Sequence, residues 1–405
     1  MRISKELAKG SLILFISVNI FNLLNLIFNF AGARLLGPSD YSTLATLMSI
    51  IFIFSIPNET IHAIISRYTT KFSVQKDKEQ IKNLMTKSLK KLTLLSLTCF
   101  TAYSLASFLL EPFLKINSDL LIFTGIFIFG AFLLPITRGI LQGTKKFNSL
   151  GLTYITESTI KLILAITLML LGFGVYGAIG GVIAGGILAF ALSFFSLKNI
   201  LKIKNKKAET QGIYNYSIPT LVSMACIMIF FSLDLILAKA FFTEEIAGQY
   251  AAMSNLGKAI FLGTWGISRA MFPIVSEKHD KKTDSKGTLE QSLLTVFFIS
   301  LGVLFIYFTF PKQIVNILYG ADYTPAAGLL IYPSIAMAIL SLTNVLVLYN
   351  LCVNKPKRNY TALAFLTIQI TLLSLFHSSI LQFSIMLIIS NILLFLGIFV
   401  ASIKS

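Results

Sequence analysis

Residues 151–171 read GLTYITESTIKLILAITLMLL, an apolar stretch of the length that crosses a lipid bilayer. About 20 mainly apolar residues in a helix cross the hydrocarbon core, yet Glu157 and Lys161 lie within this stretch, four residues apart. A charge at the centre of a spanning helix costs about 3 kcal/mol or more, so such side chains nearly always face a bundle interior or a water-filled cavity. The stretch therefore predicts a membrane helix with one face packed against protein.

The composition extends this prediction to the whole chain. Of the 405 residues, 55% are hydrophobic and 13% are charged, with a mean hydropathy of +0.80, whereas about 25% of the residues of a soluble domain are charged. The chain is therefore predicted to be an all-α polytopic membrane protein. Residues 1–10 are basic, but the apolar run that follows reaches about residue 32. That run is too long for a signal peptide and indicates a first membrane span.

The cysteines predict neither a disulfide framework nor a metal centre. Cys99, Cys226 and Cys352 lie far apart in separate apolar runs, without the spacing of metal ligands. We expect each to be a small core residue, and we expect no cofactor.

Twelve apolar stretches are long enough to span the membrane. They run over about 11–33, 40–66, 92–110, 120–138, 149–171, 174–197, 213–238, 245–274, 291–310, 325–351, 360–377 and 380–402. With the N-terminus on the cytoplasmic side, 27 of the 34 Lys and Arg residues fall on that side, 4 on the other and 3 within spans. Cytoplasmic loops are enriched in Lys and Arg, so both termini are predicted to be cytoplasmic. The net charge of +17 follows from this topology, and we expect no nucleic-acid partner.

A weak internal repeat divides the predicted spans into two sets of six. The segment 141–150 turns through a basic loop between the fourth and fifth spans, and 351–361 does the same between the tenth and eleventh. An offset of six spans gives a parallel repeat, with an N-terminal bundle at 1–205 and a C-terminal bundle at 206–405. Basic loops also recur on alternate sides in any polytopic protein, which leaves that explanation open.

Four motifs resemble a known family in order and spacing. They are Ala33–Leu44 (ARLLGPSDYSTL), Arg138–Phe147 (RGILQGTKKF), Leu233–Phe241 (LDLILAKAF) and Gly248–Tyr250 (GQY). Together they are similar to motifs of the Wzx-type polysaccharide biosynthesis flippases in the multidrug/oligosaccharidyl-lipid/polysaccharide exporter superfamily. The resemblance covers almost the whole chain.

The resemblance implies a transporter, not an enzyme, in the inner (cytoplasmic) membrane. Its cargo would be a polyprenyl-diphosphate-linked oligosaccharide repeat unit, flipped from the cytoplasmic to the outer leaflet for O-antigen, capsule or exopolysaccharide biosynthesis. Alternating access would proceed through a central charged cavity. The expected partners are this lipid-linked glycan, membrane lipids, H⁺ or Na⁺ as a coupling ion, and a glycan polymerase.

Charged residues within or beside the spans supply the candidate site. The candidate substrate-binding cations are Arg34, Arg67, Lys161, Lys258 and Arg269, and the candidate cavity or ion-coupling acids are Glu59, Glu157 and Asp234. Cations replace the hydration of a diphosphate, and acids accept a proton or bind Na⁺. For Glu157 and Lys161 an ion pair within one helix stays open beside a role in lining the cavity, and a permanent salt bridge stays open for Asp234.

Two other function classes stay open. A cation-coupled drug or metabolite exporter of the same superfamily would share the fold, although a cationic cavity disfavours cationic drugs. A membrane glycan polymerase or ligase usually carries a sizeable outward loop with catalytic residues, and the longest outward loop predicted here is about 310–324.

Overall fold

Long apolar runs determine the secondary structure, because a helix satisfies every backbone polar group within its own segment when no water is at hand. The structure is a computed structural model, and it describes residues 5–201, 203, 217–281 and 283–403. In these ranges the chain is almost entirely helical and contains no strand. The predicted all-α polytopic fold class is confirmed.

The helices follow one another with short connections. They are α1 Lys5–Phe54, α2 Ile56–Val74, α3 Lys78–Leu114, α4 Ser118–Gly125, α5 Phe127–Gly143, α6 Phe147–Leu168, α7 Gly174–Ser196, α8 Lys198–Leu201, α9 Ser217–Phe241, α10 Glu244–Asp280, α11 Lys286–Thr309, α12 Pro311–Leu318, α13 Ile331–Cys352, α14 Thr361–Leu375 and α15 Ile380–Ile403. A π-helix, Met169–Phe173, joins α6 to α7, and the 3-10 helices Ala321–Leu329 and Pro356–Tyr360 precede α13 and α14.

Nine segments of the described chain are long and apolar enough to cross a membrane. Two of them, Leu12–Val74 and Phe147–Ser196, each contain two of the predicted spans. The predicted span 360–377 lies on α14, which has 15 residues. The count of twelve spans and the orientation of the termini stay predictions.

Two compact units make up the chain. The first comprises Met1–Leu36 and Phe54–Asn215, and the second comprises Gly37–Ile53 and Tyr216–Ser405. The predicted bundles 1–205 and 206–405 meet inside 204–216, which lies outside the described residues, so that boundary stays a prediction. Arg2 and Lys404, which the charge count places on the cytoplasmic side, also lie outside the described residues.

Each unit has its own apolar core. In the first unit, Ile65, Ile140 and Leu150 bring α2, α5 and α6 together. In the second unit, Met271 and Val345 do the same for α10 and α13. These cores fix the helices that carry the buried charges described below.

A break inside α1 separates the two units along the chain. Gly37 has φ of 70°, outside the helical range, and Pro38 follows it. A positive φ is readily adopted by glycine, and proline removes a helical hydrogen bond. Residues before the break belong to the first unit, and the segment Gly37–Ile53 after it belongs to the second.

Three glycines spaced by four, Gly177, Gly181 and Gly185, predict close packing of the helix that carries them. The structure confirms this close packing against α6. A Cβ added at Gly181 would lie 2.6 Å from the backbone nitrogen of Ala165, and one at Gly185 would lie 2.5 Å from the carbonyl oxygen of Glu157. The backbone of α7 therefore contacts α6 beside its charged residues.

Two cations counted as loop residues from the sequence are buried inside helices instead. Arg138 is assigned to a cytoplasmic loop, but it lies in α5 and is 5% exposed. Lys239 is assigned to an outer loop, but it lies in the last turn of α9 and is 1% exposed. Both loop assignments are wrong, because α5 continues to Gly143 and α9 to Phe241, and each cation pairs with an acid. Without these two residues, 26 Lys and Arg residues fall on the predicted cytoplasmic side and 3 on the other side, so the charge bias keeps its direction.

Candidate functional site: buried charges in each unit

A buried ion pair links α5 to α6 in the first unit. A guanidinium nitrogen of Arg138 lies 2.6 Å from Oε2 of Glu157. The same guanidinium donates hydrogen bonds to the hydroxyl and the carbonyl oxygen of Thr153, both at 3.1 Å. It also lies 4.0 Å from the ring centroid of Tyr154. These contacts fix the guanidinium and direct the carboxylate of Glu157 towards α5.

Lys161 lies one helical turn beyond Glu157 and has neutral partners. Its ammonium donates a hydrogen bond of 2.8 Å to Oδ1 of Asn25 in α1 and lies 3.9 Å from the ring centroid of Phe28. The residue is 7% exposed. An amide oxygen and an aromatic face stabilise a cation without neutralising it.

The ion pair of Glu157 differs from the one that its sequence neighbours predict. Spacing by four residues allows Glu157 to pair with Lys161 along one helix face, but the structure pairs Glu157 with Arg138. The three side chains carry two positive charges and one negative charge. The group therefore carries a net charge of +1. Lys161 has its close contacts with neutral groups, and Glu157 acts on it electrostatically without a direct ion pair.

In the second unit, a buried carboxylate collects three donors from one face of α10. Lys258 lies 2.9 Å from Oδ1 of Asp234. Ser254 and Tyr250 donate hydrogen bonds to Oδ2, the latter at 3.3 Å. Asp234 is 0% exposed. The ammonium of Lys258 also lies 5.1 Å from the ring centroid of Phe231.

The burial of Asp234 explains why it has several hydrogen-bonding and charged partners. A buried carboxylate is tolerated only when opposite charge and hydrogen bonds compensate for lost hydration. Asp234 has both, so this group is close to neutral as a whole. The structure therefore brings together two of the residues predicted as separate site members, Asp234 and Lys258.

A second ion pair of this unit lies where α9 ends and α10 begins. The ammonium of Lys239 contacts Oε1 of Glu244 at 2.9 Å and donates to the hydroxyl of Ser42 at 2.9 Å. Ser39 donates to Oε2 of Glu244 at 2.7 Å. These contacts tie the segment Gly37–Ile53 to α9 and α10 within the unit.

Four other predicted site residues have exposed side chains. They are Arg34 in α1, Glu59 and Arg67 in α2, and Arg269 in α10. The guanidinium of Arg269 lies 4.5 Å from the ring centroid of Trp265, one turn earlier on the same helix. The structure joins these four to neither buried group by a described ion pair, and their role in a site stays a prediction.

Several members of the buried groups are absent from the sequence-based site. Tyr250 and Ser254 are two of them; they precede the predicted Lys258 by eight and four residues, the spacing of one helix face, and this pattern is a signal for donors directed at one acceptor. Arg138 begins one of the four quoted motifs, but its assignment to a loop hid its role. Asn25 lies in an apolar helix with no charged neighbour, and no sequence signal connects it to Lys161.

A metal centre has no support among the residues that the structure describes. No group of three or more His, Cys, Asp and Glu side chains there is arranged to hold a metal ion. The buried groups of charged side chains can hold an anion, exchange a proton or stabilise a helix contact.

The helical fold, with charges buried among helices that are long and apolar enough to cross a membrane, defines a multi-pass membrane protein. More specifically, the chain belongs to the polysaccharide biosynthesis protein family, whose model matches residues 32–328. The resemblance drawn from the four motifs is confirmed by this match. A membrane protein of Methanocaldococcus jannaschii, itself uncharacterized, is 26% identical over 226 residues. That match covers 50% of this chain and 54% of the relative, so the chain spans about half the length of the curated relative that it matches.

Solved structures with the same fold are transporters and a flippase, not enzymes. A multidrug resistance MATE family transporter of the MOP superfamily, inward-facing, aligns with a TM-score of 0.75 at 15% identity, over 95% of this chain and 96% of that chain. The lipid II flippase MurJ, inward closed, aligns with a TM-score of 0.72 at 18% identity, over 97% and 88%. A MOP superfamily transporter from Pyrococcus furiosus aligns with a TM-score of 0.66 at 17% identity, over 97% and 94%. At these identities the likeness establishes the fold.

Proposed function

We propose that this protein flips a polyprenyl-diphosphate-linked oligosaccharide repeat unit from the cytoplasmic to the outer leaflet, by alternating access through a central charged cavity. The product would serve surface polysaccharide biosynthesis, such as O-antigen or capsule. The family match supports the polysaccharide part of the proposal. The inner membrane, cytoplasmic termini, bundles at 1–205 and 206–405, and contact with a glycan polymerase belong to the same proposal.

The observation that carries the proposal is the buried charge of Lys161, which has no direct ion pair. Its close contacts are an amide oxygen and an aromatic ring, and the nearby Glu157 pairs with Arg138, so Lys161 has lost its hydration without gaining a counter-ion of its own, which is costly. A diphosphate oxygen supplies the missing negative charge through a charge-assisted hydrogen bond. Such a site favours an anionic cargo over a cationic drug, because a cation would meet a charge of its own sign.

The other charged residues have proposed roles in addition to that of Lys161. Lys258, Arg34, Arg67 and Arg269 are the remaining candidate cations for the diphosphate. Asp234, Glu157 and Glu59 are the candidate acids for coupling to H⁺ or Na⁺. Protonation of Asp234 would release Lys258 from its ion pair, so that one proton would change two buried side chains at once.

A complementation experiment tests the proposed function. Deleting the gene is expected to abolish surface polysaccharide and to accumulate lipid-linked repeat units inside the cell. The wild-type gene and Lys161→Arg, which keeps the charge, are expected to restore the polysaccharide better than Lys161→Gln. Lys87→Gln, which removes an exposed lysine of α3, is the matched control and is expected to restore it fully.

The outcome that contradicts the proposal is equally specific. Repeat units that reach the outer leaflet normally in the deletion strain, with no other flippase present, would show that the proposed function is wrong. Equal rescue by Lys161→Gln and by the control, at equal protein levels, would remove Lys161 from the cargo site.

A further inference from the structure

Two cations on two adjacent helices compete for one carboxylate in the first unit. Glu157 lies in α6, between Arg138 of α5 and Lys161 one turn further along α6 itself. The carboxylate is 2.6 Å from the guanidinium of Arg138, whereas the ammonium of Lys161 donates to Asn25 at 2.8 Å. The proposed function assigns no role to Arg138.

The position of Arg138 decides which cation Glu157 neutralises. Its guanidinium is anchored to the hydroxyl and the carbonyl oxygen of Thr153, one turn before Glu157 on the same helix. Because two of its nitrogens are held by Thr153, the guanidinium presents one nitrogen to the carboxylate of Glu157 in a fixed direction. Without it, Glu157 would be left with Lys161, four residues away on the same helix face, which is the spacing of a helical ion pair.

We propose that Arg138 is a positioning residue that holds Glu157 and thereby keeps the ammonium of Lys161 out of a direct ion pair and available to a phosphate oxygen of the cargo. The inference rests on the proposed function for its ligand, a lipid diphosphate. Arg138 acts through Glu157 and needs no contact with the cargo. Its loss should therefore be repaired by removing Glu157, which distinguishes this role from that of a direct cargo ligand.

Binding of a fluorescent polyprenyl diphosphate to the purified full-length protein in detergent tests the inference. Arg138→Gln is expected to weaken binding by about ten- to a hundredfold, the value of one hydrogen bond to a charged group. The double variant Arg138→Gln/Glu157→Gln is expected to bind within a few-fold of wild type. Arg138→Lys, which keeps a cation near Glu157, is expected to bind nearly as well as wild type.

Arg358→Gln is the matched control for loss of an arginine. Arg358 donates a hydrogen bond of 3.1 Å to the carbonyl oxygen of Ser402 in the second unit. Its replacement by glutamine is expected to leave the affinity for the polyprenyl diphosphate unchanged. Thermal unfolding of each variant in detergent gives the folded fraction for the binding titration. If Arg138→Gln does not fold, the comparison of Arg138→Lys with Arg138→Lys/Glu157→Gln replaces it, with equal affinities expected.

Two outcomes would overturn the inference. A double variant as weak as Arg138→Gln would show that Arg138 contacts the ligand or only packs the helices. Unchanged affinity of folded Arg138→Gln would show that Glu157 does not reach Lys161. These two outcomes concern the binding of variants. Failure of the proposed function is a separate result: the wild-type protein would not flip lipid-linked cargo, whatever the variants bind.

Discussion

Replacing Gly185 with alanine tests the packing that holds α7 against the charged part of α6. A Cβ at this position would lie 2.5 Å from the carbonyl oxygen of Glu157 and 3.2 Å from Cβ of Lys161. The nearer atom belongs to the backbone, so the helix must move as a whole to relieve the overlap. Gly186, the next residue of α7, is a matched control, because a Cβ there has no heavy atom within 4 Å.

The magnitude follows from comparing the two variants. Both replace a helical glycine with alanine, which by itself stabilises a helix by about 0.5–1 kcal/mol, so this contribution cancels in the difference. Overpacking a filled interior costs about 1–3 kcal/mol. Gly185→Ala is therefore expected to have a free energy of unfolding about 1–3 kcal/mol below that of Gly186→Ala.

The assay is unfolding of the purified variants in mixed micelles by titration with a denaturing detergent. Transport by Gly185→Ala is expected to fall as well, since the displaced segment carries Glu157 and Lys161, whereas Gly186→Ala is expected to transport normally. Equal stability of the two variants, or a less stable Gly186→Ala, would refute the packing described for α6 and α7.

The remaining predictions concern the second unit and the topology. Asp234→Asn and Lys258→Gln are each expected to lower the free energy of unfolding by about 3–5 kcal/mol, because each leaves a buried partner unpaired. The double variant is expected to lose less than the sum of the two. Additive losses in the unfolding titration would contradict the ion pair. Gly248→Ala is expected to lower the melting temperature, because its Cβ would overlap the carbonyl oxygen of Pro38; an unchanged melting temperature would contradict that contact. A cysteine at Val74, which is 80% exposed at the end of α2, is expected to resist an impermeant thiol reagent in intact cells; labelling from outside would overturn the cytoplasmic assignment.

The helical fold could be predicted from the sequence because the length of an apolar run is a local property. A stretch such as 151–171 carries its own evidence of spanning a bilayer. The ends of the helices were less predictable, since charged residues at a helix end resemble those of a loop. Arg138 and Lys239 were misassigned for this reason, and their burial depends on acids that the structure brings to them.

The partners of the charged residues were predictable only in part. Spacing along one helix suggests a pair for Glu157 at Lys161, but the closer cation comes from the preceding helix. Asp234 and Lys258 lie 24 residues apart in sequence, on two helices, and their contact depends on how α9 packs against α10. Such pairings follow from tertiary packing, which a single sequence does not specify.

The central claim is that a buried cation serves the transport of a lipid diphosphate. The most direct measurement reconstitutes the purified protein in lipid vesicles with a polyprenyl diphosphate that bears a fluorescent saccharide, and follows quenching by an impermeant reductant. We expect wild-type protein to make the inner-leaflet probe accessible, with Lys161→Gln much slower and Lys161→Arg in between. Wild-type vesicles that quench no further than protein-free vesicles, with the protein shown to be folded, would contradict the account.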